Sequence, residues 1–186
     1  MKTALLIIDI QNDYFSNGNM ELEGSIQAAS ATARLLSQFR KEKWPIYHVQ
    51  HSSIRPGSTF FLPGTVGAEI HDCVKPLPEE TVINKHYPNS FRETDLLERL
   101  KADGIGTLLV CGMMSHMCVD ATVRTAFDLG FSIILAHDAC ATRELSFNGV
   151  TVPAKQVHAS FMAALGSVYA KTMAVDDILE NITATE

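Results

Sequence analysis

The feature that most limits what this chain can become is a repeated change of hydrophobic period. Short, nearly continuous apolar runs (TALLIID, IYHVQ, TVINK, TLLVCG and FSIILAHD) alternate with longer stretches whose apolar residues step by three and four. A run that is apolar on both faces suits a strand buried between two layers, and the stepped stretches suit helices that cover it. Strands that alternate with helices pair in parallel, because each crossover returns the chain to the same end of the sheet. The expected fold is α/β: a three-layer Rossmann-like arrangement with a mostly parallel sheet of five to six strands and helices on both faces.

The helical stretches are readable individually. From Ser25 onward, Ile26, Ala29, Ala33, Leu36 and Phe39 form one apolar stripe, Lys41 and Lys43 suit its carboxyl end, and Pro45 precedes the next strand. Asp95 is expected to cap DLLERLKADG, with Glu98 at the reciprocal capping position and Gly104 just beyond the end. SHMCVDATVRTAFDLG reads as a helix closed by Gly130 and PAKQVHASFMAALG as another, with VYAKTMAV a last strand and DDILENI a terminal helix. Between His51 and Glu80 lies a stretch rich in Pro, Gly, Ser and Thr. A loop of that length in a compact domain is expected to be functional or to cover something.

At 186 residues the chain is expected to be one domain, 1–186, with 46% hydrophobic and 19% charged residues. Net charge is −6 with no basic run, which speaks against nucleic acid or an anionic membrane as partner. No apolar run has the length of a bilayer span. The opening MKTALLIIDIQ reaches Asp9 too soon for an export leader and reads as a strand. Cys73, Cys111, Cys118 and Cys140 show no C-x-x-C pairing, so they are expected to be cytoplasmic thiols.

In open parallel sheets, ligands bind beyond the carboxyl ends of the strands. Asp9, Lys85, Cys118 and Asp138 stand at or just past such ends. If Ser115 caps the helix, Cys118 sits in the first turn, where unpaired N–H groups can lower a thiol pKa to roughly 3.5–7.5. Position alone leaves Cys118 open to either a nucleophile's role or core packing. Asp9 alone could be a capping carboxylate and Lys85 alone a surface amine. Together they make a possible base, orienter and nucleophile. Cys140 and Asp138 are expected to be structural, and Met117 to fill core.

The motifs LLIIDIQNDYF (5–15), INKHYPNSF (83–91), GMMSHMCVDATVRTAFDLG (112–130) and HDACAT (137–142) resemble those of isochorismatase-like cysteine hydrolases. That superfamily includes nicotinamidases, N-carbamoylsarcosine amidohydrolases and ureidoacrylate hydrolases, and the resemblance covers nearly the whole chain. It implies an Asp–Lys–Cys triad, here Asp9, Lys85 and Cys118. It also implies a cis peptide between Met113 and Met114, with the Met114 and Cys118 N–H groups as the oxyanion hole. The implied reaction is hydrolysis of an amide, carbamoyl or ureido C–N bond through a Cys118 thioester, without a cofactor. The implied partners are a small-molecule substrate and further copies of the chain, as a dimer or tetramer. Phe15, Tyr87, Phe91 and His116 flank the triad motifs and are candidates for the substrate pocket.

Nicotinamidases in this superfamily hold a divalent metal on an Asp-x-His pair and a later histidine. Here His51 has Val49 two positions before it, with His71 and His86 as further candidate ligands, so no metal is expected. A metal-assisted nicotinamidase-like amidase is the nearest rival. Vinyl ether cleavage of the isochorismatase type is disfavoured because relatives that perform it generally lack the cysteine. A thiol redox sensor would call for a partner cysteine at C-x-x-C spacing, and a non-catalytic scaffold would tolerate loss of a triad residue; neither condition is met.

Overall fold

A computed structural model describes residues 2–183. The chain runs β1 (Lys2–Ile8), α1 (Ser25–Lys41), β2 (Ile46–His51), β3 (Thr81–Lys85), α2 (Leu96–Ala102) and β4 (Ile105–Met113). After a helical turn at Ser115–Val119 come α3 (Asp120–Asp128), β5 (Ser132–Ala141), β6 (Leu145–Phe147) and β7 (Val150–Val152). It closes with α4 (Ala154–Val168), β8 (Lys171–Met173) and α5 (Val175–Thr183). Six strands form one sheet in the order β3-β2-β1-β4-β5-β8, and every pairing in it is parallel.

Two apolar layers sandwich that sheet. On one face Leu5 and Ile7 of β1 meet Leu35 and Phe39 of α1 and Ile178 of α5. On the other, Leu6 and Ile8 meet Leu96 of α2, Val123 of α3 and Leu165 of α4. Alternate residues of one strand thus feed opposite layers, which is why the strand sequence is continuously apolar. The strand order reverses at β1, whose neighbours are β2 on one side and β4 on the other. A crevice at such a reversal is where α/β sheets place ligands. Here it lies beyond Ile8 and its register partner Gly112.

Local readings needed adjusting in four places. The inward stripe of α1 is Ala28, Ala29, Thr32, Leu35, Leu36 and Phe39, while Ile26 is 62% exposed. Small residues face inward because α1 crosses close over β5: the Thr32 hydroxyl, which bonds Ala28 C=O one turn back at 3.0 Å, also lies 3.5 Å from Ala139 C=O of β5. Asp95 holds the N-cap position of α2 as expected, but its side chain makes no capping bond and pairs with Arg99 at 2.7 Å, one turn on. The last strand is only Lys171–Met173, because α4 continues to Val168. Finally, β6 and β7 form a hairpin that the sequence reading did not anticipate. Its turn, Asn148–Gly149, has φ of 49° and 76°, the left-handed pair that Asn-Gly supplies at least cost.

Candidate active site

The end of β1 supplies the first group. Asp9 takes a left-handed conformation (φ 51°), which aspartate tolerates better than most side chains, and this bend turns the chain away from the sheet. Its carboxylate is fully buried, as is the Lys85 side chain that arrives from the end of β3. Lys85 Nζ lies 2.8 Å from Asp9 Oδ2 and donates a second contact to the Pro88 carbonyl at 2.9 Å. Burial opposes the lysine's charge, but Asp9, with Cys118 behind it, outweighs this and holds the ammonium above its ordinary pKa. Beyond Lys85 and the Cys118 thiol, the Asp9 carboxylate has no hydrogen-bond partner among the described residues.

The third group comes from β4. Gly112 (φ 129°) stands where a Cβ would meet the Ile8 carbonyl oxygen at 2.0 Å, so only glycine lets the two strand ends approach this closely. The Met113–Met114 peptide that follows is cis. The helix then opens with a wide turn in which Val119 N–H reaches back five residues to Met114 C=O (3.2 Å). Ser115 is the first residue of this turn, not its cap. Its hydroxyl bonds the Ala141 carbonyl (3.3 Å) and shares a hydrogen bond with His158 Nδ1 (2.8 Å), pinning the turn to β5 and α4.

Cys118 is carried by that turn and is 6% exposed. Its thiol interacts with both Asp9 and Lys85. Cys118 Sγ, a carboxylate oxygen of Asp9 and a ring nitrogen of His51 all lie within 4.8 Å of one another. Burial pushes the thiol pKa well up, the Asp9 charge adds to the rise, and Lys85 only partly opposes it. The lowered pKa expected of a helix N-terminus is therefore not found. The dry setting and the neighbouring carboxylate outweigh the backbone amides. The raised pKa favours a thiol over a thiolate beside the Asp9–Lys85 pair.

A cavity of about 370 Å³ opens onto Cys118, with Tyr14, His51, Phe60, Phe61, Tyr87 and Met114 among its walls. A larger one, about 580 Å³, lies at the opposite end of the sheet beside Trp44 and Lys171, where no nucleophile stands against a base. Of the four sequence-named pocket residues only Tyr87 lines the cavity at Cys118. Phe15 is buried on the far side of its own turn, stacked on His71 at 3.8 Å. Phe91 packs toward Phe131, and His116 is held by the Thr142 hydroxyl (2.5 Å) with its ring edge toward Phe161. Met117, read as core, is 41% exposed on the cavity wall. Cys140 is buried and Asp138 accepts a bond from Val175 N–H (2.9 Å), both structural as expected.

The walls that sequence reading missed come chiefly from the long loop, whose position is set by QND in the first motif. The Gln11 amide donates to the His51 and Ala68 carbonyls (2.9 and 2.7 Å) and accepts from His51 N–H (2.7 Å). Asn12 donates to Val66 C=O (2.8 Å), and the buried Asp13 carboxylate accepts from Phe61 N–H (2.6 Å) and Asn19 N–H (3.0 Å). Gly67 leaves room for Asp13, whose carboxyl would sit 2.3–2.5 Å from an added Cβ. The motif that presents Asp9 therefore also roofs the cavity. Polar residues three to five positions past a strand end, Gln11, Asn12 and Asp13, were the available signal.

The histidines do not form a nicotinamidase-type metal triad. Val49 is buried, His71 bonds Cys73 (3.0 Å) against Phe15, and His86 Nδ1 is engaged with Ser52 C=O (2.9 Å). Among the described residues the only converging donors are Asp9, His51 and Cys118. A metal seated there would occupy the thiol and the carboxylate themselves and face the Lys85 ammonium.

The model of the isochorismatase domain matches residues 3–165. An isochorismatase family protein of Bacillus subtilis, YddQ, described as uncharacterized, is 52% identical over 180 residues, spanning 97% of this chain and all of that one. A solved isochorismatase-family structure from Oleispira antarctica is 48% identical, covers 96% of each chain and superposes with a TM-score of 0.91. N-carbamoylsarcosine amidase from Thermoplasma acidophilum is 25% identical, covers 95% of this chain and 98% of its own, and superposes with a TM-score of 0.81.

Proposed function

Because the chain belongs to the isochorismatase family of hydrolases, we propose that it cleaves a C–N bond of a small amide, carbamoyl or ureido compound, with Cys118 as nucleophile. One observation carries the reading. A buried thiol at the floor of a cavity contacts both members of a carboxylate–ammonium pair.

In the proposed cycle the substrate carbonyl lies over Cys118. The thiol proton passes to Asp9 as sulfur attacks the carbonyl carbon, so no free thiolate accumulates. Lys85 keeps the carboxylate in place and balances its charge. The oxyanion rests on the Met114 and Cys118 N–H groups; loss of one such donor typically costs roughly 100- to 1000-fold in rate. Collapse breaks the C–N bond, and the amine leaves with the proton held by Asp9, giving a thioester. Asp9 then takes a proton from water, hydroxide adds to the thioester, and the acid departs as the thiol is restored. Burial holds His51 below its usual pKa, so it stands neutral beside this pair and offers a hydrogen bond rather than a charge. The raised thiol pKa also runs against a redox-sensor role, which depends on standing thiolate.

The test is intact-protein mass spectrometry during incubation with a panel of primary amides, N-carbamoyl amino acids and ureido acids. The expected result is an acyl adduct on Cys118 with release of ammonia or amine, and no adduct or turnover in Cys118→Ala. Undiminished turnover in that variant would overturn the assignment. No helix among the described residues is long and apolar enough to cross a membrane.

A further inference from the structure

The cavity over Cys118 has an electrostatic character that amide hydrolysis does not require. The chain as a whole is acidic, with net charge −6. Yet the residues lining this cavity include Arg55 and Arg92 and no aspartate or glutamate. Asp9 lies behind Cys118 and is matched by Lys85 at 2.8 Å, while the Asp13 carboxylate behind Phe61 is turned onto the Phe61 and Asn19 N–H groups (2.6 and 3.0 Å). In a negatively charged protein, two guanidinium groups with no lining carboxylate make a local positive field that selects against cations and draws anions.

Neither arginine is spent on the fold. Arg55 has no salt bridge and no side-chain hydrogen bond among the described residues, and it sits on the exposed part of the long loop. The Arg92 guanidinium lies over the Tyr87 ring, 3.6 Å from its centroid, so its plane is held against a wall of the cavity. Its one acidic neighbour is Glu93, adjacent in sequence, 3.6 Å away, with both side chains more than half exposed. Such a contact is screened by water and leaves most of the guanidinium donors free. An arginine fork with free donors matches the two oxygens of a carboxylate.

The remaining walls limit the rest of the ligand. Tyr14, Phe60 and Phe61 form an aromatic cluster with centroids 4.6–6.1 Å apart, and the volume of about 370 Å³ is near the lower end for ligand pockets. Resting on the hydrolytic reading above, we infer that the substrate is a small amide that also carries a carboxylate. Its amide carbonyl lies at Cys118, and Arg55 and Arg92 hold the carboxylate at the mouth.

The test separates this inference from the chemistry. Full-length Cys118→Ala protein is titrated calorimetrically with ω-amide acids of two to five carbons and with N-carbamoyl amino acids, each beside its neutral methyl ester. Carboxylates are expected to bind about tenfold or more tightly than their esters, and Arg55→Ala in the same background is expected to erase most of that ratio. In the cysteine-bearing protein the same preference is expected in kcat/KM. Arg55→Ala should lower the carboxylate-to-ester ratio through KM, and Arg55→Glu should shift preference toward cationic amides such as glycinamide. Circular dichroism melts check that both exposed-site variants are folded. If no carboxylate in the panel binds more tightly than its ester, the inference fails, even if Cys118 acylates normally. If the binding preference appears without any Cys118 adduct, the inference stands and the hydrolytic reading fails.

Discussion

The molecule contains two carboxylate–cation clusters of similar make-up and opposite character. At one, Glu80 accepts from Arg40 Nε (2.7 Å), Arg40 Nη2 (2.8 Å) and Leu77 N–H (2.9 Å), and pairs with His48 Nε2 (2.9 Å). At the other, Asp9 has Lys85 at 2.8 Å and the Cys118 thiol as its only partners among the described residues, with a cavity above. Burial raises the Glu80 pKa, but the Arg40 and Leu77 bonds outweigh it and bring the carboxyl down to about 2. A carboxylate with its lone pairs filled ties β3 and its flanking loop to α1, and nothing remains for a ligand. One whose only partners are an ammonium and a thiol, beside a cavity, is a place for a proton to go.

Breaking each cluster should separate chemistry from stability. Asp9→Asn is expected to lower turnover by about 10²- to 10⁴-fold, because the proton acceptor is lost. The same change leaves Lys85 buried and unmatched and should cost about 3–5 kcal/mol in urea unfolding. Adding Lys85→Met is then expected to restore most of the stability and none of the turnover. Recovery of turnover would refute Asp9 as the base. In the second cluster, Glu80→Gln should cost about 1–3 kcal/mol, a fall of roughly 3–10 °C in Tm, with turnover of a confirmed substrate changed by less than about threefold.

The smallest effect is a pH dependence confined to Glu80. Its carboxyl is charged in the folded protein down to about 2, whereas an unfolded glutamate protonates near about 4.3. The stabilisation is therefore complete above the higher value and declines as pH falls through the window, vanishing below the lower one. Thermal melts of the parent and Glu80→Gln at pH 5, 3.5 and 2.5 should show their Tm difference shrinking with acidity. A constant difference would show that Glu80 contributes by packing and not by charge.

The two clusters also differ in how far the sequence disclosed them. Asp9 and Lys85 were visible because each interrupts an apolar run at a strand end, where a long-range reversal of strand order brings such ends together. Nothing local marks Glu80, His48 and Arg40 as partners; they meet only because α1 returns across β2 and the loop before β3. The cavity walls were equally hidden. Tyr14 and Phe15 are neighbours of similar character, and a single short turn, Asn12–Tyr14, decides that the first faces the cavity and the second the opposite groove. Met117 reads as core because methionine is a common core filler, whereas the wide turn at Ser115–Val119 leaves it exposed on the cavity wall. The Asn148–Gly149 hairpin, by contrast, carried a local signal and could have been read.

The pinning of the long loop has an architectural consequence. Ser53 N–H bonds Phe61 C=O at 2.8 Å, and Phe61 N–H is held by Asp13, so residues 54–60 leave and re-enter the body at almost one point. A segment with closed ends can change length at small entropic cost and without strain on its anchors. Those seven residues, Arg55 among them, thus behave as an exchangeable cassette: grafts between Ser53 and Phe61 could retune what enters the cavity while Asp9, on the far side of the Asp13 anchor, stays in place.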